Sequence, residues 1–381
     1  MKSSPSTPNQ VPAAPEAPPH GLHYPWGSSE PALGDWMTLR PGIHWVRMPL
    51  PFALNHINLW VLDDTTQAQP TWTVVDAGVH IPAIHEAWQA LWRGPMASRP
   101  LGRMLVTHMH PDHVGNAQWL IEHFSAPEQS ARLWMSAGDF LAATLSCQST
   151  TGYGGERAAQ YFRAHGLSDA DSLAKIRERG GYYAAMVPEM PQSYRRLQEG
   201  MQVQIGEHSW RCIAGFGHAP EHMALYSESH GVLISGDMLL PKISTNVSVT
   251  DLEPEADALG QFLDSLTRYE ALPADTLVLP SHGHPFVGIA ERVKQLRDHH
   301  EARLDDIRSV CSQQPCTAAD LLPVLFKRQL DLHQTTFAMG EAVAHLNHLW
   351  HRGELQRQAL PGQDGTPEWR FALANHSGMI T

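Results

Sequence analysis

The stretch Thr107-His108-Met109-His110-Pro111-Asp112-His113 places four side chains that can bind a metal ion within six residues. It follows an apolar run at residues 103–106 and precedes a segment with helical periodicity. His108 and His110 lie two residues apart, so both imidazoles can point at one cation from an extended turn. Asp112 and His113 follow one helical step later and can reach a second cation. Burying this much polarity without partners would cost several kcal/mol, which indicates that these side chains bind something.

Three further predicted strands each run into a side chain that can bind a metal. Residues 211–216 lead to His218, residues 232–235 to Asp237 and residues 277–280 to His282. With the first motif this makes seven candidate ligands at four strand ends: His108, His110, Asp112, His113, His218, Asp237 and His282. The set suits two divalent ions bridged by Asp237. Imidazole and carboxylate ligands favour zinc, with manganese or iron as alternatives, and leave positions open for water.

Short apolar runs alternate with amphipathic segments along the chain, which is typical of a layered α/β architecture. Strands are predicted at residues 43–48, 57–62, 72–75, 103–106, 202–205, 210–214, 232–235 and 276–279. Helices are predicted from Pro82 and at residues 114–124, 157–165, 168–179, 255–269, 287–310, 318–329 and 336–350. The last three helices, with a small hairpin at residues 354–358 and 369–372, have the element order of a winged-helix-like module.

The same patterns predict the domain organisation. Residues 1–30 are rich in proline, serine and alanine and are expected to form a disordered leader, with ordered sequence starting near Trp36. Residues 31–290 are expected to form the catalytic domain, with a helical insertion at about residues 139–200 as a candidate lid. Residues 291–381 are expected to form the helical C-terminal domain.

Composition excludes several classes of protein. Acidic residues outnumber basic ones by 39 to 27, for a formal net charge of −12, whereas proteins that coat nucleic acids or membrane surfaces need a positive field. Four scattered cysteines are too few for a disulfide framework. No apolar run is long enough for a transmembrane helix. The N-terminus lacks the apolar core of a signal peptide, so we expect a cytoplasmic protein.

The candidate metal ligands and their spacing resemble the pattern of the metallo-β-lactamase fold superfamily. The family's H-x-H-x-D-H motif matches residues 108–113, and its Asp-x-Gly turn matches residues 76–78. The resemblance covers about residues 36–290 and implies an αββα sandwich with a dinuclear site at one edge. It implies one metal held by His108, His110 and His218, a second held by Asp112, His113 and His282, and Asp237 shared between them.

The family's chemistry implies a hydrolase that needs no serine or cysteine nucleophile. Two cations about 3.5–4 Å apart lower the pKa of water between them towards about 7 and so supply a hydroxide. The hydroxide attacks a carbonyl or phosphorus centre while a metal polarises the target oxygen. In this scheme the catalytic residues are Asp112, which also orients the nucleophile, and Asp237.

Other polar residues near the motifs are weaker candidates for orienting a ligand or contacting substrate. The set is His222, Glu221, His284, Tyr182 and Tyr183, with Arg179 beside the two tyrosines. His222 is interpreted either as a partner that orients a ligand or as a structural histidine, and Glu221 as a substrate-side acid. Helix packing explains Tyr182 and Tyr183 equally well. Asn55, His56 and Asn58 lie on an early strand near where the family's substrate cleft begins, and we interpret them as edge-strand polarity in preference to a role in that cleft.

The resemblance defines the chemistry better than the substrate, because one fold hosts many functions. The ligand set is similar to that of hydroxyacylglutathione hydrolases and lactonases, so we predict a hydrolase of a small-molecule thioester, lactone or ester. The C-terminal tail also resembles the lactamase-like protein 2 group, which includes endoribonucleases, and phosphodiester cleavage is the alternative. Residues 317–373 carry five bases and six acids, which disfavours a nucleic-acid partner. We expect the tail to complete the pocket or form a homodimer.

Two further classes stay open. A mononuclear iron persulfide dioxygenase uses a subset of the same ligands and stays an alternative. The flavin-linked di-iron type is not expected, because it needs a carboxylate where His110 stands and a flavodoxin domain, and neither is found in the sequence. A non-enzymatic winged-helix regulator fits less well, because four ligands would close a structural metal site and seven are present. A β-lactamase role is not expected, since we see no secretion signal for a periplasmic enzyme.

Overall fold

A computed structural model describes residues 21–52, 54–66, 69–148, 154–362 and 365–374. Over these residues the chain forms two stacked β-sheets with helices on their outer faces. This is the predicted αββα arrangement, and it confirms the expected fold class. None of the helices in the described ranges is long and apolar enough to cross a membrane.

The first sheet has seven strands that lie side by side in chain order. They are β1 (Trp36–Arg40), β2 (Ile43–Pro49), β3 (His56–Asp64), β4 (Thr71–Val75), β5 (Leu101–Leu105), β6 (Arg132–Met135) and β7 (Tyr194–Arg196). The first four strands are antiparallel neighbours, and β4 to β7 run parallel. Parallel neighbours need crossover connections, which here carry the helices of the outer layer.

The second sheet has six strands in the order β13-β12-β11-β10-β9-β8. They are β8 (Gln202–Ile205), β9 (His208–Gly215), β10 (His222–Ser227), β11 (Val232–Gly236), β12 (Leu277–Pro280) and β13 (Phe286–Val287). Only β11 and β12 run parallel within it, and the helix α8 (Ala258–Glu270) connects them.

Helices cover both sheets. The first sheet carries α1 (Pro82–Arg93), α2 (Pro111–Val114), α3 (Ala117–Phe124) and α4 (Ala137–Gln148). The insertion follows with α5 (Gly155–Ala164), α6 (Ala170–Glu178), a 3-10 turn (Arg179–Gly181) and α7 (Tyr182–Met186). The C-terminal part consists of α9 (Ile289–Gln313), α10 (Ala318–Leu325), α11 (Leu332–His351) and a hairpin of β14 (Leu355–Pro361) and β15 (Pro367–Leu373).

Three buried apolar clusters hold the layers together. Trp45, Trp60 and Trp210 belong to the cluster between the two sheets. A second cluster packs the outer face of the first sheet against α1 and α3. The third joins the outer face of the second sheet to α8 and continues into the C-terminal helices, including Leu304 and Met339. The C-terminal helices therefore share a core with the second sheet.

The predicted strands and helices are present, with differences at their ends. The predicted helix at residues 318–329 ends at Leu325, and α11 starts at Leu332, four residues before its predicted start. Asp331 explains the shift, because its side chain and that of Gln334 form a reciprocal capping box that begins a new helix. The predicted helical insertion also contains β7, which extends the first sheet.

Residues 21–30 pack on the catalytic part although they belong to the predicted leader. His23 forms a β-bridge with Val287, and Glu30 forms an ion pair with Arg47. Packing thus precedes the expected start near Trp36, because Leu22, Tyr24 and Trp26 also pack against the buried clusters. Residues 1–20 lie outside the described residues, and the proposed domain boundaries stay predictions.

Candidate metal centre

The seven predicted ligands converge at one edge of the sandwich, where strands from both sheets end. The 108–113 motif follows β5 of the first sheet. His218 follows β9, Asp237 follows β11 and His282 follows β12, all of the second sheet. The site therefore lies across the junction of the two sheets, and it forms only when they pack together.

Local sequence sets the shape of the motif. His110 is the extended N-cap of α2, with φ −62° and ψ 147°, and Pro111 starts the helix. Proline suits this position because its missing N–H needs no partner in the first turn. Gly115 ends the turn, and a Cβ atom there would lie 2.5 Å from the Pro111 oxygen and 2.7 Å from the Met186 oxygen. Only glycine lets this turn lie so close to α7.

The ligand atoms fall into three groups, and within each group all atoms lie within 4.8 Å of one another. The groups are His108, His110 and His218; His108, His113 and Asp237; and Asp112, His113 and His282. The Asp237 Oδ2 atom lies 3.5 Å from the His218 Nε2 atom, and its Oδ1 atom lies 3.5 Å from Nε2 of both His113 and His282. Asp237 thus faces both halves of the site.

Several polar atoms in this cluster face one another without a satisfying partner. The His108 Nε2 atom lies 2.9 Å from the His110 Nδ1 atom and 3.1 Å from the His218 Nε2 atom. Among the described residues, His113 Nε2 and Asp237 Oδ1 are buried and have no hydrogen-bond partner. Buried polar atoms are rarely left unpaired, and cations between these atoms would satisfy them. The residues present therefore fit divalent metal ions.

Electrostatics divides the site into two halves. Burial and the neighbouring imidazoles lower the pKa of His108 well below its usual value, and burial and His218 lower the pKa of His110 to about 3. Both rings are therefore neutral at pH 7, which is the form that binds a metal.

The other half of the site favours positive charge. Burial would raise the pKa of Asp237, but His282 and His113 lower it well below its usual value. Burial would lower the pKa of His282, but Asp237 and Asp112 raise it to about 10. Where carboxylates hold protons this firmly on imidazoles, a divalent cation can replace those protons.

Further hydrogen bonds orient the imidazoles. The His113 Nδ1 atom lies 2.8 Å from Asp76 Oδ2, which also accepts from the Thr107 hydroxyl at 2.9 Å. His218 Nδ1 donates to the Asn246 carbonyl oxygen at 2.6 Å, and His282 Nδ1 donates to the His56 carbonyl oxygen at 2.9 Å. Each of these bonds leaves Nε2 free to bind a cation.

Asp139 is a buried acid that the sequence interpretation missed. Its carboxylate accepts from the Met109 backbone N–H at 2.7 Å and from the Glu221 backbone N–H at 2.6 Å. It thereby connects the 108–113 motif to the loop after His218. Burial raises its pKa to about 6 although both N–H donors lower it. The sequence feature that could have identified Asp139 is its position shortly after the apolar run of β6, but β6 was not predicted as a strand.

Two of the weaker candidates contact backbone near the predicted ligands. His222 Nε2 accepts from the Asp237 backbone N–H at 3.3 Å, and its ring lies 5.0 Å from that of His108. The Tyr183 hydroxyl donates to the carbonyl oxygen of Met109, between two predicted ligands. These contacts place both side chains around the ligands rather than among them.

The others lie farther out. Glu221 Oε2 accepts from the Gly138 backbone N–H at 3.2 Å, at the start of α4. His284 turns towards the N-terminal segment, with Nε2 2.8 Å from Glu30. The Tyr182 hydroxyl lies 3.3 Å from the Nδ1 atom of His333 in α11.

Asn58 is fully buried, so it is more than edge-strand polarity. Its Oδ1 atom accepts from the Trp45 indole at 2.8 Å. Its amide donates to the carbonyl oxygens of Pro280 and Gly283 at 2.9 and 2.7 Å. Those two residues flank His282 closely, so Asn58 fixes the path of the chain that carries this ligand.

Comparisons with known proteins show which families the chain is similar to. Residues 57–282 match the Metallo-beta-lactamase superfamily, and residues 304–374 match the family described as "Metallo-beta-lactamase-like, C-terminal domain". The chain is 25% identical over 315 residues to "Probable metallo-hydrolase YqjP" of Bacillus subtilis (strain 168), covering 79% of this chain and 90% of that protein.

Solved structures show the same relationship. A beta-lactamase domain protein from Burkholderia ambifaria is 49% identical with a TM-score of 0.87, covering 93% of this chain and 99% of that one. The metallo-beta-lactamase family protein TTHA1429 from Thermus thermophilus is 27% identical with a TM-score of 0.69, covering 88% and 100%. The family match spans more than half of the sequence and contains all seven predicted ligands. This chain belongs to the metallo-beta-lactamase superfamily.

Proposed function

We propose that this metal-dependent hydrolase cleaves a small-molecule thioester, lactone or ester. His108, His110 and His218 would hold one divalent ion, Asp112, His113 and His282 a second, and Asp237 would contact both. The observation that carries the proposal is the position of Asp237, whose two oxygens each lie 3.5 Å from imidazoles of different halves of the site. Zinc is the expected metal, because these ligands suit it, and manganese or iron are alternatives.

The bound ions would supply a hydroxide at neutral pH and polarise the scissile carbonyl group. The chain's own residues orient and admit the reactants. The Asp112 side chain is 19% exposed and that of Asp237 is 11% exposed, whereas His113 is fully buried. Asp112 is the more exposed of the two carboxylates, so it would accept a hydrogen bond from an entering water molecule and orient that water towards the substrate. No serine or cysteine is required as nucleophile.

The charge of the C-terminal part supports a small substrate rather than a nucleic acid. Four of its arginines are paired with acids: Arg308 with Glu301, Asp305 and Glu354, Arg352 with Glu354, Arg357 with Glu255, and Arg370 with Glu368. Phosphate binding needs unpaired cations. We propose that this winged-helix-like part braces the catalytic part. The cytoplasmic location and the homodimer stay predictions.

Metal analysis combined with thioester hydrolysis tests the proposal. The purified protein is expected to hold two zinc ions per chain and to release thiol from an S-acetyl thioester. Asp237→Ala should lower both the metal content and kcat, the latter at least about 100-fold, because it removes the group that contacts both ions. His208→Gln, at the opposite end of β9 from His218, is the control and should change neither.

Other metal contents would contradict the proposal. One iron ion per chain with oxygen consumption on a persulfide would indicate the dioxygenase. Cleavage of phosphodiesters with no activity on any ester or thioester would indicate the nuclease. No metal after reconstitution with zinc would overturn the hydrolase itself.

A further inference from the structure

Three segments that are distant in sequence meet beside the candidate metal centre. Arg179 and Tyr182 come from the end of the insertion, His333 from the first turn of α11, and Phe52 from the loop between β2 and β3. The Arg179 guanidinium lies 4.3 Å from the centre of the Tyr182 ring. The Phe52 and His333 rings are stacked, with centroids 5.7 Å apart and planes 6° from parallel. We call these four side chains the Arg179 cluster.

Contacts on α7 place the Arg179 cluster at the edge of the metal centre. The Tyr183 hydroxyl donates to the Met109 carbonyl oxygen within the metal-binding motif. The backbone N–H of His80 donates to the Met186 carbonyl oxygen at 3.2 Å, at the other end of the same helix. Burial raises the pKa of Tyr182, the Arg179 guanidinium lowers it, and the Asp112 carboxylate raises it by a smaller amount. Tyr182 therefore lies within electrostatic range of a predicted metal ligand.

Arg179 is an unusual cation in this protein. Its Nη2 group donates to His333 Nδ1 at 3.2 Å, but its Nη1 group is buried and has no hydrogen-bond partner among the described residues. No carboxylate in the described part of the chain lies within ion-pair distance of it.

Arg292 shows that the absence of an acidic partner is not by itself evidence that an arginine binds a ligand. Arg292 is buried and has no ion pair, but it donates to the carbonyl oxygens of Leu240, Lys242 and Ile243. Arg179 has no such set of acceptors among the described residues. An unused guanidinium donor that is buried costs free energy unless a ligand accepts from it.

His333 adds a second donor to the cluster. A guanidinium can only donate, so His333 Nδ1 must accept from Arg179, and the ring proton lies on Nε2. The Tyr182 hydroxyl, 3.3 Å from the same Nδ1 atom, then also donates to it. The Nε2–H group has no partner among the described residues, so it is free to donate to a ligand.

We propose that the Arg179 cluster binds an anionic group, a carboxylate or phosphate, at the end of the substrate remote from the scissile bond. Arg179 Nη1 and His333 Nε2 donate to its oxygens, and Phe52 and Tyr182 cover it. The inference rests on the proposed function and narrows its substrates to anionic esters and thioesters. A hydrogen bond from the charged guanidinium to an anionic oxygen is stronger than one between neutral groups, which makes Arg179 the residue that determines specificity.

Two thioesters that differ only in charge test the inference. The probes are S-acetyl-3-mercaptopropionate and its neutral amide, S-acetyl-3-mercaptopropionamide, with thiol release as the readout. The wild-type enzyme should prefer the carboxylate roughly 10- to 100-fold in kcat/KM, as expected for a charge-assisted hydrogen bond. Arg179→Gln should abolish that preference by raising KM for the carboxylate, because a contact made in both ground and transition states affects binding. Arg179→Lys should retain part of it.

Arg177→Gln is the matched control. Arg177 lies two residues away in α6, is exposed and pairs with Glu156, so its substitution should leave both thioesters unaffected. An equal loss on both probes in Arg179→Gln would show a merely structural role and overturn the inference. So would a wild-type enzyme that cleaves both thioesters equally well.

A binding measurement separates this inference from the proposed function. Isothermal titration with the non-cleavable thioether 3-(2-oxopropylthio)propanoate should give affinity that falls roughly 10- to 100-fold in Arg179→Gln. If neither thioester is cleaved but this dependence on Arg179 holds, the proposed function fails and the anion site stands. If thioesters are cleaved but the thioether binds equally to both proteins, the hydrolase stands and the anion site is wrong.

Discussion

Asp76 shows how one residue outside the predicted ligand set supports the metal centre. It has a positive φ of 64°, an uncommon conformation outside glycine that Asp and Asn tolerate best. Its carboxylate accepts from the Thr107 backbone N–H at 2.8 Å and from its hydroxyl at 2.9 Å, and it contacts His113 Nδ1 at 2.8 Å. One buried side chain thus holds both the strand that leads into the motif and a predicted ligand.

We expect Asp76→Asn to weaken metal binding by roughly 10- to 100-fold, because the amide keeps the shape but replaces one acceptor oxygen with a donor. Competition titration with a zinc chelator measures this change. Asp63→Asn is the control, since Asp63 also pairs with a histidine, His44, at 3.0 Å but far from the site. Equal effects of both substitutions would contradict the role assigned to Asp76.

At the scale of elements, α9 and α11 are joined by a pair of buried histidines. His345 Nδ1 donates to the Glu341 carbonyl oxygen at 2.8 Å, so its Nε2 accepts from His300 Nδ1 at 3.1 Å. Burial and the backbone bond together leave the pKa of His345 at about 4, and burial and His345 lower the pKa of His300 to about 2. Adding a proton to either ring would place a charge between the two helices.

Acid should therefore destabilise this packing. Between pH 6.5 and pH 4 the unfolded chain binds a proton at His345 that the folded chain does not, so the free energy of unfolding falls as the pH is lowered. From pH 7 to pH 5 the free energy of unfolding should fall by about 2 kcal/mol less in His345→Gln than in the wild type. Urea denaturation with a chelator present measures the difference without the pH dependence of metal binding. The exposed His123 on α3 is the control position, and identical pH profiles of wild type and His345→Gln would contradict the prediction.

At the scale of the whole molecule, the metal centre lies where the two sheets and the C-terminal part meet. Its ligands come from both sheets, and the C-terminal part reaches it through α11. Val249 N–H donates to the Gly340 oxygen of α11 at 3.1 Å, and the same loop carries the Asn246 oxygen that orients His218. A Cβ atom at Gly340 would lie 2.8 Å from Ser248, so the helix and the loop are in close contact.

Removing the metal ions should consequently destabilise the whole fold. Ligands that bind only the folded state stabilise it by about 4 kcal/mol at a thousand times their Kd, so a chelator should lower Tm by roughly 10 °C. Thermal unfolding followed by circular dichroism, with and without chelator, tests this. Asp237→Ala should show a smaller difference, because its site is incomplete. An unchanged Tm in a protein shown to lose its metal would contradict the prediction.

Local chemistry along the chain was sufficient to predict the layered fold and the seven residues that now lie together. The 108–113 motif, His218, Asp237 and His282 each come shortly after an apolar run, and polar side chains after a buried strand are visible without knowing how the strands pair. The capping box at Asp331 was equally local, although it was overlooked.

What only the tertiary structure decided are the contacts between residues far apart in sequence. Asn58 and Gly283 are separated by 225 positions, and Arg179 and His333 by 154. Neither periodicity nor motif spacing predicts such contacts, because the contacts depend on which sheet faces pack together and which loops then meet. The sequence by itself determined which side chains can bind a metal. The packing of two sheets and α11 decided which other residues orient those ligands and border the space beside them.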